Sequence, residues 1–158
     1  MSNVEENKKL IEEFPFLMPR NRFTDKIPEN FDYSYTELDD MPDGWRNSFG
    51  LEMCKEIKEA LLKVNKLEEY RITQIKEKYG TLRWYSNFYT DEIDQIIRKY
   101  EKKSETTCIL CGKEATHITL GWISPFCIDC LKERNIEGYI TIEEYLKDIE
   151  EDNDESEE

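Results

Sequence analysis

Residues 108–130 read CILCGKEATHITLGWISPFCIDC, and the four cysteines within it, Cys108, Cys111, Cys127 and Cys130, follow the pattern C-x2-C, fifteen residues, C-x2-C. Two residues between paired cysteines let both thiolates reach one ion of tetrahedral preference. The intervening stretch is long enough for a hairpin that returns the second pair to the first. The spacing therefore predicts a zinc site. Four thiolates fill every coordination position and leave none for water or substrate, so the Zn2+ is expected to be structural and not a Lewis acid. Gly112 directly after Cys111 suits the tight turn of a zinc knuckle, HITLGWISPF is strand-prone, and the second pair opens a short helix through Leu131. Knuckle, hairpin and helix in that order predict a treble-clef or zinc-ribbon-like module over residues 108–135.

Two disulfides or a redox pair are the competing readings of C-x-x-C. The opening residues MSNVEENKKL carry no apolar stretch of the signal-peptide kind, and no run approaches the ~20 apolar residues of a membrane span. A cytoplasmic, reducing location away from membranes is expected, and there paired cysteines bind metal more often than they cross-link. No thioredoxin-like pattern of strand and helix surrounds the pairs. Cys54, the fifth cysteine, sits in a helical pattern between Met53 and Ile57 and reads as a small buried hydrophobe.

Upstream of the cysteines, residues 1–107 read as an α+β core. Residues 3–13 predict a short polar helix closed by Pro15, followed by the irregular, aromatic segment FPFLMPRNRFTDKIPENFDYSY. Phe14, Phe16, Leu17 and Phe23 are expected to anchor that segment on the core, because loops this apolar are seldom left free. After the turn MPDG, Trp45, Phe49, Met53, Ile57 and Leu61 recur every four residues, with Ala60 and Val64 widening the stripe; this predicts an amphipathic helix of about six turns. Tyr70 and Ile72, then Leu82 and Trp84, flank a turn at Tyr79, Gly80 and Thr81 and predict an antiparallel hairpin. Thr90 or Asp91 caps a helix whose buried face is Ile93, Ile96, Ile97 and Tyr100. Beyond the cysteine module, Thr141 and Glu144 form a capping box for a C-terminal helix over 136–150, with Ile142, Tyr145, Leu146 and Ile149 on its apolar side.

The chain carries a formal charge of −14, and residues 132–158 alone hold three basic and twelve acidic side chains. The stretch EEDNDESEE has no apolar residue, so residues 151–158 are expected to be a disordered acidic tail, either a solubilising end or a mimic of nucleic-acid phosphates.

Four blocks together, PFLMPRNRFTDK, YSYTELDDMPDGW, IKEKYGTLRWY and the run from CILCGKEATH to GWISPFCIDC, resemble a family of small uncharacterised proteins from bacteriophages and prophages. The resemblance covers residues 14–131. It implies a phage or mobile-element context and a zinc-binding end, and it transfers no catalytic residue.

Function is therefore read from side chains. In IKEKYGTLRWY, Lys76, Lys78 and Arg83 lie beside Tyr79, Trp84 and Tyr85. Cations that neutralise phosphates next to faces that stack bases suit nucleic acid. Alternation in a ribbon explains the same residues, with Leu82 and Trp84 inward and Arg83 and Tyr85 outward. Residues 66–107 balance nine bases against eight acids, short of the basic stripe of a nucleic-acid reader. The acids Glu37, Asp39, Asp40 and Asp43 match neither an EF-hand nor a nuclease signature. Helix capping by Asp43 is the simpler reading, and pairing of Asp39 or Asp40 with Arg83 is an alternative. His117, the single histidine, lies inside the zinc hairpin with no nucleophile elbow or phosphate loop beside it. The expectation is a non-enzymatic, zinc-stabilised accessory protein of a phage, an anti-defence or host-takeover factor that docks on a host or phage protein. Contact would run through Trp122 and Phe126 or the acidic tail. The principal alternative is a nucleic-acid-binding regulator using Lys76, Lys78, Arg83 and Tyr85, and a lesser one is a metal-dependent hydrolase built on Asp39 and Asp40.

Overall fold

A computed structural model describes residues 3–156, with side-chain surroundings through Glu151. The fold is α+β, with helices packed on one small antiparallel sheet and a second small sheet beside the clustered cysteines. Helix α1 (Val4–Glu13) ends where Phe14 donates its N–H to the Leu10 carbonyl at 2.7 Å, and a 3-10 turn, Pro15–Leu17, then buries Phe16 and Leu17. The aromatic segment behaves as expected except at its tip. Phe14, Phe16 and Leu17 are in the core, whereas Phe23 is 91 % exposed. Its loop is closed polar to polar, by Asn21 Oδ1 accepting from the N–H groups of Phe23 and Thr24, so the ring needs no core contact to be held out.

The predicted long helix is continuous but not uniform: α2 (Asp43–Trp45) passes through a π turn (Arg46–Gly50) into α3 (Leu51–Lys63). Apolar residues every four positions drift about 40° per step on a 3.6-residue helix. The wider π turn takes up part of that drift and keeps Trp45 and Phe49 on the same buried side as Met53, Ile57 and Leu61. Val64 does not extend the stripe; it stands at the C-terminus of α3 and is exposed. Asp43 is not the cap either. Pro42 occupies that position without a side-chain hydrogen bond, and Asp43 is the first helical residue, paired with Arg46 at 2.9 Å.

Strands β1 (Ile72–Lys78) and β2 (Thr81–Ser86) form the hairpin, joined by Tyr79 and Gly80 at φ +53° and +81°, the left-handed pair of a two-residue type I′ turn. A bulge between Ile72 and Gln74 lets Ile72 and Ile75, three residues apart, share the buried face. Opposite them, Leu82 and Trp84 point inward, and Trp84 Nε1 donates to the buried Tyr70 hydroxyl at 3.0 Å. Helix α4 (Asp91–Ser104) is capped by Thr90, whose hydroxyl accepts from the Ile93 N–H at 3.1 Å. Its far end ties back to the hairpin through the Ser104 hydroxyl, which accepts from the Leu82 N–H at 2.9 Å.

The second sheet runs β4 (Pro125–Phe126), β3 (His117–Thr119), β5 (Tyr139–Thr141), all antiparallel, with α5 (Ile128–Glu133) between the last two in sequence. The third strand is an addition to the predicted hairpin. Ile136 and Tyr139 pack on the cysteine cluster, so the structural unit around it continues past residue 135. Helix α6 (Ile142–Ser156) starts at the expected cap, where the Thr141 hydroxyl accepts from the Glu144 N–H; the Glu144 carboxylate accepts from that hydroxyl and not from the Thr141 N–H, so half of the box forms. The tail is a correction. Residues 151–156 continue the helix although Asp, Asn and Ser are weak helix formers, because extending a nucleated helix is easier than starting one. Glu157 and Glu158 lie outside the described residues.

Candidate metal centre

The two C-x2-C pairs are presented by two different local structures. Cys108 and Cys111 sit on a turn closed by the Gly112 N–H donating to the Cys108 carbonyl at 3.0 Å, with Gly112 at φ +82°. Cys127 and Cys130 lie at the start of α5, where Leu131 donates to the Cys127 carbonyl at 3.2 Å. Strands β3 and β4 fold the second pair onto the first, as Ile109 donates to the Pro125 carbonyl at 3.0 Å.

All four sulfurs lie within 4.8 Å of one another, and Cys111 Sγ stands 3.6 Å from Cys127 Sγ. A tetrahedron with metal–sulfur bonds of about 2.3 Å has edges of about 3.8 Å, so the donor set fits one ion. No disulfide joins them; all five cysteines are free thiols. Cys108, Cys127 and Cys130 are buried and Cys111 reaches the surface. Burial raises the thiol pKa of all three shifted members, but at Cys108 the backbone N–H groups of Cys111, Cys127 and Leu110 outweigh it and bring the value down to about 7. At Cys111 and Cys130 burial and the neighbouring thiols leave the net shift upward. A divalent cation reverses that sign, because it is the largest charge in such a site. Among the described residues no other set of three or more Cys, His, Asp or Glu side chains converges in this way. His117 is outside the set. It is half-buried on β3, bonded to the Thr116 hydroxyl at 2.7 Å and edge-on to Tyr139.

The cluster is seated directly on the start of the long helix. Gly44 donates to the Ile109 carbonyl and Trp45 Nε1 to the Thr107 carbonyl, both at 2.9 Å. A Cβ on Gly44 would stand 2.2 Å from the Cys108 carbonyl oxygen, and one on Gly112 would stand 2.6 Å from the Gly44 carbonyl oxygen. Only two glycines permit this approach. Ile109 packs against the main core and the cysteine cluster alike. Nothing in the spacing of MPDGW announces this role for Gly44, since a turn glycine explains the same letters.

The two hairpin tips also meet. A Cβ on Gly80 would lie 3.3 Å from the Ile123 backbone oxygen, so the β1–β2 turn rests on the loop between β3 and β4. There Tyr79 is 73 % and Trp122 77 % exposed, and they line a cleft of about 290 Å3 with Lys78 and Ile123. Trp122 also borders a shallow depression with Leu120, Ile136 and Glu137. The other predicted contact residues spread out. Lys76 lies over the Tyr85 ring at 5.8 Å on the outer face of the hairpin. Arg83 pairs with Glu101 at 3.9 Å and not with Asp39 or Asp40. Phe126 is buried behind the cysteines.

The acidic loop is held internally. A 3-10 turn, Glu37–Asp40, is capped by Thr36, whose N–H is accepted by Asp39, and Asp39 and Asp43 both grip Arg46, at 3.1 and 2.9 Å. Burial and the Asp40 charge push the Glu37 carboxyl up to about 7, opposed by the Arg20 N–H. Cys54 is fully buried in the core, which raises its thiol pKa.

No helix among the described residues is long and apolar enough to cross a membrane. Compared with protein-family models, curated proteins and solved structures, the chain matches none.

Proposed function

We propose that this chain is a zinc-stabilised binding protein, encoded by a phage or prophage, that acts by docking on a host or phage protein as an anti-defence or host-takeover factor. The observation that carries the reading is the junction of the two hairpin tips, where Tyr79 and Trp122 are both exposed and line one cleft. Exposed aromatics at a rigid junction are the kind of side chain that anchors interfaces. Zinc is assigned from four thiolates in a closed tetrahedral set, and its role is to hold Trp122 in place relative to Tyr79. The partner surface that fits has an apolar socket with a mixed rim, offering cations to Glu77 and Glu137 and an anion to Lys78, which lies over the Tyr79 ring.

The test is affinity capture from a lysate of infected host cells with the full chain, Trp122→Ala, and a chain lacking residues 149–158. The protein retained is then purified, and its binding to each variant is measured. Trp122→Ala should weaken binding about 30-fold, the effect of losing a central aromatic anchor. A partner held equally by wild type and Trp122→Ala rejects the surface.

A second reading has its own observation: Lys76 over Tyr85 and Lys78 over Tyr79 place cations on exposed aromatic rings, as single-strand binders do. It requires oligonucleotide binding that falls steeply with salt, and no binding at low ionic strength rejects it.

A further inference from the structure

Away from both the cysteines and the hairpin tips, the aromatic loop and the start of β1 enclose a cleft of about 440 Å3 lined by Arg20, Arg22 and Arg71. These are three of the seven arginines of an acidic chain. Their donors are unequally used. Arg71 uses four of its five N–H donors, with Nε and Nη2 on the Asp25 carboxylate at 2.8 and 3.5 Å and Nη1 on the carbonyls of Glu68 and Tyr70. Arg20 reaches the Asp25 carbonyl through Nη1 at 2.9 Å, but its Nε is buried without a hydrogen-bond partner, the one such side-chain atom among the described residues. Arg22 is exposed and makes a single long bond of 3.4 Å to the Thr73 carbonyl.

A buried donor without an acceptor costs free energy and asks for an anion or water. Asp25 shows what kind. Its planar carboxylate satisfies one guanidinium fork, that of Arg71, and stays 3.8 Å from Arg20, so it does not also serve Arg20 and Arg22. A tetrahedral anion with three free oxygens can serve both. The rim carries Glu68 and Glu69, the latter paired with Lys66 at 3.1 Å, which disfavours a long polyanion crossing the cleft. The volume exceeds one phosphate and falls in the range of small-ligand sites.

We propose that this cleft binds a phosphate monoester of nucleotide size through Arg20 and Arg22, with the Asp25 carboxylate as an internal stand-in that competes with it for the arginines. The purely structural account makes the Asp25–Arg71 pair a staple for the loop, and the two accounts predict opposite signs for one substitution. The experiment is calorimetric titration of the zinc-loaded full chain at low ionic strength with adenosine 5′-monophosphate, adenosine, and an oligonucleotide with or without a 5′-phosphate. Saturable 1:1 binding of the monophosphate and none of adenosine is expected. Arg22→Ala should weaken it at least tenfold while leaving the melting temperature unchanged, and Asp25→Asn should tighten it several-fold. Three results overturn the proposal: no saturable binding of the monophosphate, binding indifferent to Arg22→Ala, or Asp25→Asn that lowers the melting temperature and does not tighten binding. Preference for the 5′-phosphorylated oligonucleotide over the free nucleotide overturns the assignment to a small molecule.

Discussion

The main core and the cysteine unit solve the same problem with different means. Around α3, α4 and the β1–β2 hairpin, Trp45, Trp84, Tyr70, Phe14, Phe16 and Phe49 are almost completely buried and interlock with aliphatic residues, so hydrophobic area holds the structure. Around the cysteines the buried cluster has only Phe126 and Leu131 besides three thiols. So small a cluster does not carry a fold alone, and an ion held by the four thiolates would supply what apolar area lacks. The lesson is that one chain can hold two regions whose stabilities answer to different chemistry across a shared seam.

The strongest way to break that comparison is to remove the metal. Chelation, or Cys108→Ser with Cys130→Ser, should abolish hydrogen-exchange protection over residues 108–141 while α3, α4, β1 and β2 keep theirs; uniform loss everywhere would make the two regions one. Next in size, Trp84→Ala should cost about 4 kcal/mol in chemical denaturation without changing metal affinity, because it empties the main core alone. Gly44→Ala strikes the seam. Its new methyl meets the Cys108 carbonyl, and a loss of about 3 kcal/mol together with weaker metal binding is expected. A smaller effect belongs to pH. The Glu37 pKa is raised on folding to about 7, so its contribution is fully present below its ordinary 4.5 and lost as pH rises through 7. Glu37→Gln should therefore stabilise the protein by about 1 kcal/mol at pH 8, a figure scaled down for a half-exposed carboxyl, and leave pH 4 unchanged in thermal melts. Phe23→Ala, finally, should shift stability by less than about 0.5 kcal/mol, since the ring touches no core.

Much of this architecture was legible in the letters, and for definite reasons. The cysteine spacing, the stripe from Trp45 to Leu61, the face from Ile93 to Tyr100 and the Thr141 cap are local patterns, and local patterns survive folding. What escaped is set by partners distant in sequence. The π turn and the Ile72–Gln74 bulge adjust faces that periodicity alone leaves misaligned. Strand β5 is three residues long and exists because β3 offers it an edge. Arg83 chose Glu101 over the acids near Asp40 because α4 packs on β2, and no motif reports that packing. At the candidate sites, the gathering of the four cysteines could be read directly, whereas the cleft shared by Tyr79 and Trp122 and the one lined by Arg20, Arg22 and Arg71 arise only from tertiary contact.

The seam between Gly44 and Gly112 has one more consequence, for anyone wishing to move parts of this protein about. Two peptide backbones pressed together without side chains leave no tolerance for a substitute surface, so the cysteine unit is not a cassette. Grafted onto another scaffold it would need a host helix with a glycine of its own in the first turn, and a chimaera that supplies any larger residue there would have to pull the knuckle, and its two cysteines with it, out of register.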